Sequence, residues 1–88
     1  AGWLAMDKLL VAVEVPSVEQ IFDITAPDTL SAAMLIELLD QLLGELENGG
    51  HVPSGNEVLC CRETGVLLYP DKTLQENNIR MGDHLILY

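Results

Sequence analysis

The residues of this chain that could do chemistry are few, and the first to consider are the potential metal ligands. Cys60 and Cys61 are adjacent, and the two histidines are His51 and His84. Structural zinc sites use paired ligands separated by two or more residues, whereas neighbours in a strand point to opposite faces. We therefore predict no metal site, with His51 in a solvated loop.

The same side chains, with three serines, are the candidate nucleophiles. None of the serines has a base at a recognisable spacing, and no glycine-rich phosphate loop is present. A reactive cysteine needs positive neighbours, but Arg62 is offset by Glu57 and Glu63. We therefore predict a protein that is not an enzyme and has no cofactor. The cysteines should pack as small hydrophobic residues without a disulfide, which is typical of a reducing cytosol.

The charge of the chain narrows the class of partner. Fourteen acidic residues face four basic ones in 88 residues, for a formal net charge of -10. An acidic surface repels phosphates, so nucleic acid and anionic lipid are excluded as partners and a basic protein is favoured. The alternative is that the acids only keep the domain soluble. No apolar run reaches about 18 residues, so we predict no membrane insertion by this segment.

Hydrophobic patterning predicts the elements that position these residues. Alternation of apolar and polar residues indicates strands, and apolar residues at a spacing of three or four indicate a helix. The helix should be capped by Asp28 or Thr29. Leu74 and Ile79 should be buried under a short crossing segment. The predicted elements are strands at 7–15 and 19–25, a helix at 30–46, strands at 57–62 and 66–69, the crossing segment at 73–79 and a strand at 84–88.

The predicted helix has one apolar face and one acidic face. At about 100° per residue, one stripe should face the core, with three further apolar residues beside it. Glu37, Asp40 and Glu45 fall on the solvated face. The predicted stripe is Ala32, Leu35, Leu39, Leu42 and Leu46, flanked by Ile36, Leu38 and Leu43.

Two segments resemble a known family. The segment 26–30, Ala-Pro-Asp-Thr-Leu, looks like the strand-to-helix step of ubiquitin. The segment 73–87 ends in Ile-Arg-Met-Gly-Asp-His-Leu, which resembles the YukD or EsaB proteins of bacterial type VII secretion and the cytosolic ubiquitin-like domain of EccD. The resemblance implies an α+β, ubiquitin-like β-grasp: a mixed sheet of about five strands with one long helix across one face. The domain should span 7–88, with 1–6 an expression-vector remnant or a disordered start.

The resemblance also implies a function. It implies a cytoplasmic, non-catalytic interaction module, an accessory or regulatory component of a type VII (WXG100) secretion system that binds another component. One alternative is the ubiquitin-like domain of a larger membrane component. Another is a modifier or sulfur carrier, but such proteins end in Gly-Gly, whereas this sequence stops at Tyr88 inside the last predicted strand.

The candidate binding site is the face of the sheet that the helix leaves open. Ubiquitin-like domains commonly bind partners through this face, and contiguous apolar patches mark binding sites. Homodimerisation through the same face is an alternative. A register slip of one residue would replace Cys60 by Leu59 and Cys61. The predicted protein-binding residues are Leu10, Ala12, Val58, Cys60, Arg62, His84, Ile86 and Tyr88.

Overall fold

A computed structural model describes residues 8–46 and 55–88. The described chain forms one mixed sheet of order β2-β1-β4-β3, in which β1 and β4 are parallel and the other neighbours antiparallel. This confirms the predicted α+β architecture. The predictions for residues 1–6 and for His51 lie outside the described residues. The elements are β1 (Lys8–Val15), β2 (Gln20–Pro27), α1 (Ala32–Leu46), β3 (Leu59–Cys61) and β4 (His84–Leu87).

The β1–β2 hairpin follows from strict alternation in β1. Val11, Val13 and Val15 are buried against the helix side, while the intervening residues face the other way. A single 3₁₀ turn over Pro16–Val18 reverses the chain, and Glu19 closes it with a positive φ of 55°. The pairing continues to Pro27, two residues beyond the predicted end of the second strand, because β1 offers partners along its whole length.

The helix starts later than predicted, and its cap is a different residue. The backbone N–H of Met34 donates to Ser31 Oγ at 3.2 Å, so Ser31 is the cap. The prediction of Asp28 or Thr29 was wrong because the chain first makes a tight turn, in which the Leu30 N–H donates to the Pro27 carbonyl at 3.0 Å.

A distant loop completes the start of α1. The N–H groups of Ala32 and Ala33 donate to the carbonyls of Lys72 and Pro70, each at 3.0 Å. These N–H groups have no partner within the helix, so the loop supplies what the local sequence does not. The crossing segment that follows buries Leu74 and Ile79, as predicted.

The core lies between α1 and the sheet. Leu35, Leu39 and Leu43 are all at most 1% exposed, and burial of each stabilises the fold by about 1.5–3 kcal/mol. The predicted core positions of Ala32, Leu35 and Leu39 are confirmed. The stripe then continues through Leu43, which was predicted only to flank it, whereas Leu42 is half-buried and Leu38 is 47% exposed. Leu35, Leu39 and Leu43 are four residues apart, so each lies about 40° further around the helix axis than the one before. This row of α1 faces the sheet.

The predicted strand at 66–69 is reduced to one bridge, between Leu67 and Cys60. The Leu68 N–H donates to the Leu59 carbonyl at 2.8 Å, but Tyr69 then turns away, because the side chain of Asn77 takes both of its main-chain groups. β3 is likewise shorter than the predicted 57–62. The sheet thus has four strands where about five were predicted.

A tight turn before β4 ties that strand to β1. The Arg80 N–H donates to Asp83 Oδ2 at 2.9 Å, and Gly82 has a φ of 85°. Glycine adopts this left-handed conformation without steric cost. The Gly82 N–H donates to the Leu10 carbonyl, and the Ala12 N–H donates to the Asp83 carbonyl. This turn fixes the start of β4 beside β1.

Candidate outer-face interaction site

The sheet face opposite α1, here called the outer face, brings the predicted residues of three strands together. In the sheet register Ala12 is paired with His84, and Ile86 is paired with Cys60. Paired residues share a face, so these side chains form two adjacent rows. Tyr88 and Val58 exchange both main-chain hydrogen bonds, at 2.9 and 3.1 Å, and extend the surface beyond the end of β4.

Each predicted residue is at least partly open to solvent. Leu10 is 46% exposed, Val58 39% and Tyr88 63%, although all three are large apolar side chains. The half-buried residues of the set lie at the centre of the outer face, where β1, β4 and β3 are paired. The predicted set has four half-buried members, Ala12, Cys60, His84 and Ile86, and four exposed ones, Leu10, Val58, Arg62 and Tyr88.

The two cysteines lie on opposite faces, as predicted. Cys61 is 6% exposed and packs in the core, whereas Cys60 is half-buried on the outer face, and both are free thiols. Leu59, which precedes Cys60 in the sequence, is 1% exposed and faces the core like Cys61. The alternative register, which would turn Leu59 and Cys61 outward, is therefore excluded.

Charged groups border the outer face. Arg62 Nη1, beside β3, lies 4.0 Å from Glu14 Oε1 of β1, across the intervening strand β4. Glu63 Oε2 lies 3.7 Å from His84 Nδ1, and the same carboxylate accepts the His84 backbone N–H. The pKa of Glu63 is lowered, first by its own backbone N–H and then by the N–H of His84, the Cys61 thiol and the His84 ring, against an opposing effect of desolvation. The Glu63 carboxylate is thus held in its ionised form.

Metal-binding chemistry has no support in the described part of the chain. Across residues 8–46 and 55–88, no three His, Cys, Asp or Glu side chains are grouped so as to hold a metal ion. The same ranges contain no helix of the length and apolar character that crossing a bilayer requires.

A family model described as "WXG100 protein secretion system (Wss), protein YukD" matches residues 10–87. The chain belongs to the YukD family. It is therefore a ubiquitin-like domain associated with WXG100, or type VII, secretion, and the family resemblance seen in the sequence is confirmed. No curated protein matches the chain by sequence.

Solved structures similar to this YukD-family domain share its fold. The EccD5 ubiquitin-like domain from Mycobacterium xenopi has 17% identity and a TM-score of 0.72, with 93% of each chain covered. The ubiquitin-like domain of Mycobacterium tuberculosis EccD1 has 19% identity and a TM-score of 0.68, over 93% of this chain and 98% of that one. A chain of the MycP5-free ESX-5 inner membrane complex has 17% identity and a TM-score of 0.69, over 92% of this chain and 20% of that one. These similarities establish the ubiquitin-like β-grasp fold.

Two exposed residues of the YukD-family outer face were missed by the sequence prediction. Ile21, 61% exposed, is paired with Glu14, and Leu67, 55% exposed, is bridged to Cys60. Alternation in β2 already placed Ile21 on the side opposite Phe22, but only the strand register shows that this side is the outer face. For Leu67 the sequence holds no such signal, because its bridge to Cys60 depends on the turn between them.

Proposed function

We propose that this domain is a non-catalytic docking module of a type VII secretion system, which acts in the cytoplasm by binding another component through its outer face. Membership of the YukD family supports the assignment to a type VII secretion system. The observation that carries the docking role is the outer face itself. It joins half-exposed apolar side chains of β1, β3 and β4 in registered rows, and the helix packs on the opposite side.

The anchors of this docking surface are apolar and its border is charged. Leu10, Ile86 and Tyr88 supply the apolar contacts, and Arg62 with Glu14 supplies a polar border. Binding energy in protein interfaces concentrates in a few apolar or aromatic anchors within a polar rim. The net charge of -10 favours a partner with a basic surface around an apolar patch.

The proposal is tested by placing a charge on the outer face. Ile86→Asp and Tyr88→Asp should each weaken binding to the secretion-system component by at least about tenfold, the loss expected at an interface anchor. Binding would be measured by calorimetry with the purified cytosolic parts of type VII secretion components. Export of the WXG100 proteins would be measured in cells that carry the same variants.

Met34→Asp is the matched control. Met34 is 47% exposed and lies on α1, on the other side of the molecule from the outer face. This substitution adds the same charge to an exposed apolar side chain away from the outer face, so binding should stay within about twofold of wild type. Thermal unfolding of each variant separates lost binding from lost folding. Tyr88→Asp should destabilise the fold less than Ile86→Asp, because Tyr88 follows the last residue of β4 and is 63% exposed. Unchanged affinity in both outer-face variants, with the fold retained, would remove the docking proposal.

A second candidate is that the domain forms part of a larger membrane component of the same machine. The similar chain of the ESX-5 inner membrane complex is about five times longer than its matched region, since 20% of it is covered. Sequencing the native gene beyond the codon for Tyr88 tests this candidate. Long apolar spans would support it, a stop codon would support a free-standing module, and a Gly-Gly end would instead support a modifier or sulfur carrier.

A further inference from the structure

An open depression of about 420 Å³ lies beside the outer face, between the segment 63–69 and the turn before β4. One wall is apolar and made by Val66, Leu67 and Tyr69, whose side chains are 59%, 55% and 60% exposed. Single exposed apolar residues are ordinary, but three within four consecutive residues form a patch of the kind that marks a contact surface.

The rim of this depression is acidic. Three carboxylates line it, those of Glu63, Glu76 and Asp83. The cations are Arg80 in the lining and Lys72 over the Tyr69 ring, so acidic groups outnumber basic ones. Glu76 Oε1 accepts the Thr73 N–H at 2.9 Å, and Asp83 Oδ2 accepts the Arg80 N–H at 2.9 Å. A carboxylate has about four acceptor sites on its two oxygens, so these groups retain capacity for a further donor. The rim favours a cationic ligand and disfavours an anionic one.

The Tyr69 ring in the wall of the depression already contacts a cation of the same chain, Lys72. The Lys72 ammonium lies 4.8 Å from the centre of the Tyr69 ring. An ammonium or guanidinium group is attracted to the face of an aromatic ring at such distances. Tyr69 is thus an aromatic surface suited to the stem or head of a basic side chain.

We propose that this depression binds a lysine or arginine side chain of the protein that docks on the outer face. The methylene stem lies against Val66 and Tyr69, and the charged head reaches the carboxylates of the rim. The depression and the outer face are continuous, because Leu67 is bridged to Cys60 and Glu63 accepts the His84 N–H. The inference therefore rests on the proposed docking function and adds the charge of the residue that the partner must contribute.

Two capped tripeptides test the site without the partner. Acetyl-Leu-Arg-Leu-amide carries the guanidinium, and acetyl-Leu-citrulline-Leu-amide has nearly the same shape without the charge. Each would be titrated into ¹⁵N-labelled protein while backbone amide chemical shifts are followed. The arginine peptide should shift amides in the segments 63–69 and 76–83, and it should bind about two- to fivefold more tightly than the citrulline peptide, the effect of an exposed ion pair.

Three variants assign the effect to the depression. Glu76→Gln keeps the side-chain oxygen that accepts the Thr73 N–H, and it should weaken arginine-peptide binding by about two- to fivefold. Glu37→Gln removes the same charge from an exposed position of α1 that does not line the depression, and should leave binding unchanged. Tyr69→Ala should weaken binding of both peptides, since it removes the apolar wall that contacts the stem.

The outcomes separate this proposal from the docking proposal. Equal weakening by Glu37→Gln and Glu76→Gln, or equal affinity for the two peptides, would overturn the basic-side-chain site. If partner binding is lost in Ile86→Asp but unaffected by both Glu76→Gln and Tyr69→Ala, the outer face is the docking surface and the depression takes no part. If the peptide titration behaves as expected, and Glu76→Gln also lowers partner affinity, both proposals are supported.

Discussion

The side-chain amide of Asn77 pairs with both main-chain groups of Tyr69. Asn77 Oδ1 accepts the Tyr69 N–H at 2.8 Å, and Asn77 Nδ2 donates to the Tyr69 carbonyl at 3.1 Å. The same Nδ2 lies 3.3 and 2.9 Å from the carbonyls of Lys72 and Thr73. The Asn77 side chain thus supplies the hydrogen bonds to Tyr69 that a neighbouring strand would otherwise make. It also binds the loop at Lys72 and Thr73, which pairs with the start of α1.

Replacement of Asn77 should therefore destabilise the whole domain. Asn77→Ala leaves the Tyr69 N–H without its partner and removes the side-chain donor from three carbonyls, each of which keeps one main-chain donor. We expect a loss of about 1–3 kcal/mol in the free energy of unfolding. Asn77→Asp should cost at least as much, because its second oxygen cannot donate to the carbonyls of Lys72 and Thr73. Urea unfolding followed by circular dichroism measures both.

Gln75→Ala is the control for the Asn77 variants. Gln75 is an exposed neighbour whose main chain, rather than its side chain, makes the local hydrogen bonds. Its replacement should change the free energy of unfolding by no more than about 0.5 kcal/mol. Equal stability of Asn77→Ala and Gln75→Ala would show that the Asn77 amide is dispensable.

The two adjacent cysteines should differ in their access to thiol reagents. Cys60 is half-buried on the outer face and Cys61 is 6% exposed in the core. In the native protein iodoacetamide should modify Cys60 at least about tenfold faster, since an opening free energy of only about 1.4 kcal/mol slows a buried thiol by that factor. Peptide mass spectrometry measures the two rates.

The same experiment reports on the docking surface. A partner that covers the outer face should protect Cys60 and leave the slow modification of Cys61 unchanged. In denaturant both thiols should react at similar rates, which controls for their chemistry. Faster modification of Cys61 than of Cys60 in the native protein would contradict the assigned faces.

The contribution of Glu63 to stability should depend on pH. Its pKa is lowered in the folded protein, so the ionised form is the one that folding stabilises. A lowered folded pKa gives stability that is fully present above the ordinary value of 4.5 and is lost as the pH falls through the folded pKa. Wild type should therefore exceed Glu63→Gln in stability at neutral pH, and the difference should shrink below pH 4.5.

Urea unfolding of both proteins across this pH range measures the effect. Glu37→Gln is the matched control for the loss of one negative charge, because its carboxylate lies on α1 rather than beside His84. A difference between wild type and Glu63→Gln that stays constant as the pH falls would mean that the charge of Glu63 is not the cause.

The strand and turn pattern was predictable because local rules decide it. Alternation of apolar and polar residues predicted β1, and its alternate residues Val11, Val13 and Val15 are buried. The family resemblance then supplied the β-grasp, with one face of the sheet open, which patterning alone does not determine. Together these assigned the correct face to each residue of the predicted outer-face set.

Errors arose wherever a distant residue completes a local structure. The helix was predicted to start at Leu30 with Asp28 or Thr29 as its cap. Instead the tight turn from Pro27 to Leu30 comes first, Ser31 is the cap, and the carbonyls of Lys72 and Pro70 pair with the first turn of α1. The strand predicted at 66–69 ends after one bridge because Asn77 captures Tyr69.

By itself, the sequence determined the fold class, the family, the faces of the main strands and the acidic charge. The strand faces depend on periods of two or about 3.6, which act between neighbours along the chain, and the charge depends on residue type. The family and its fold came from the resemblance carried by the segments 26–30 and 73–87. Only the tertiary structure decided that Ile21 and Leu67 join the outer face and that the depression forms beside it. Those features depend on strand register and on side-chain hydrogen bonds between segments far apart in sequence, and no local pattern encodes such contacts.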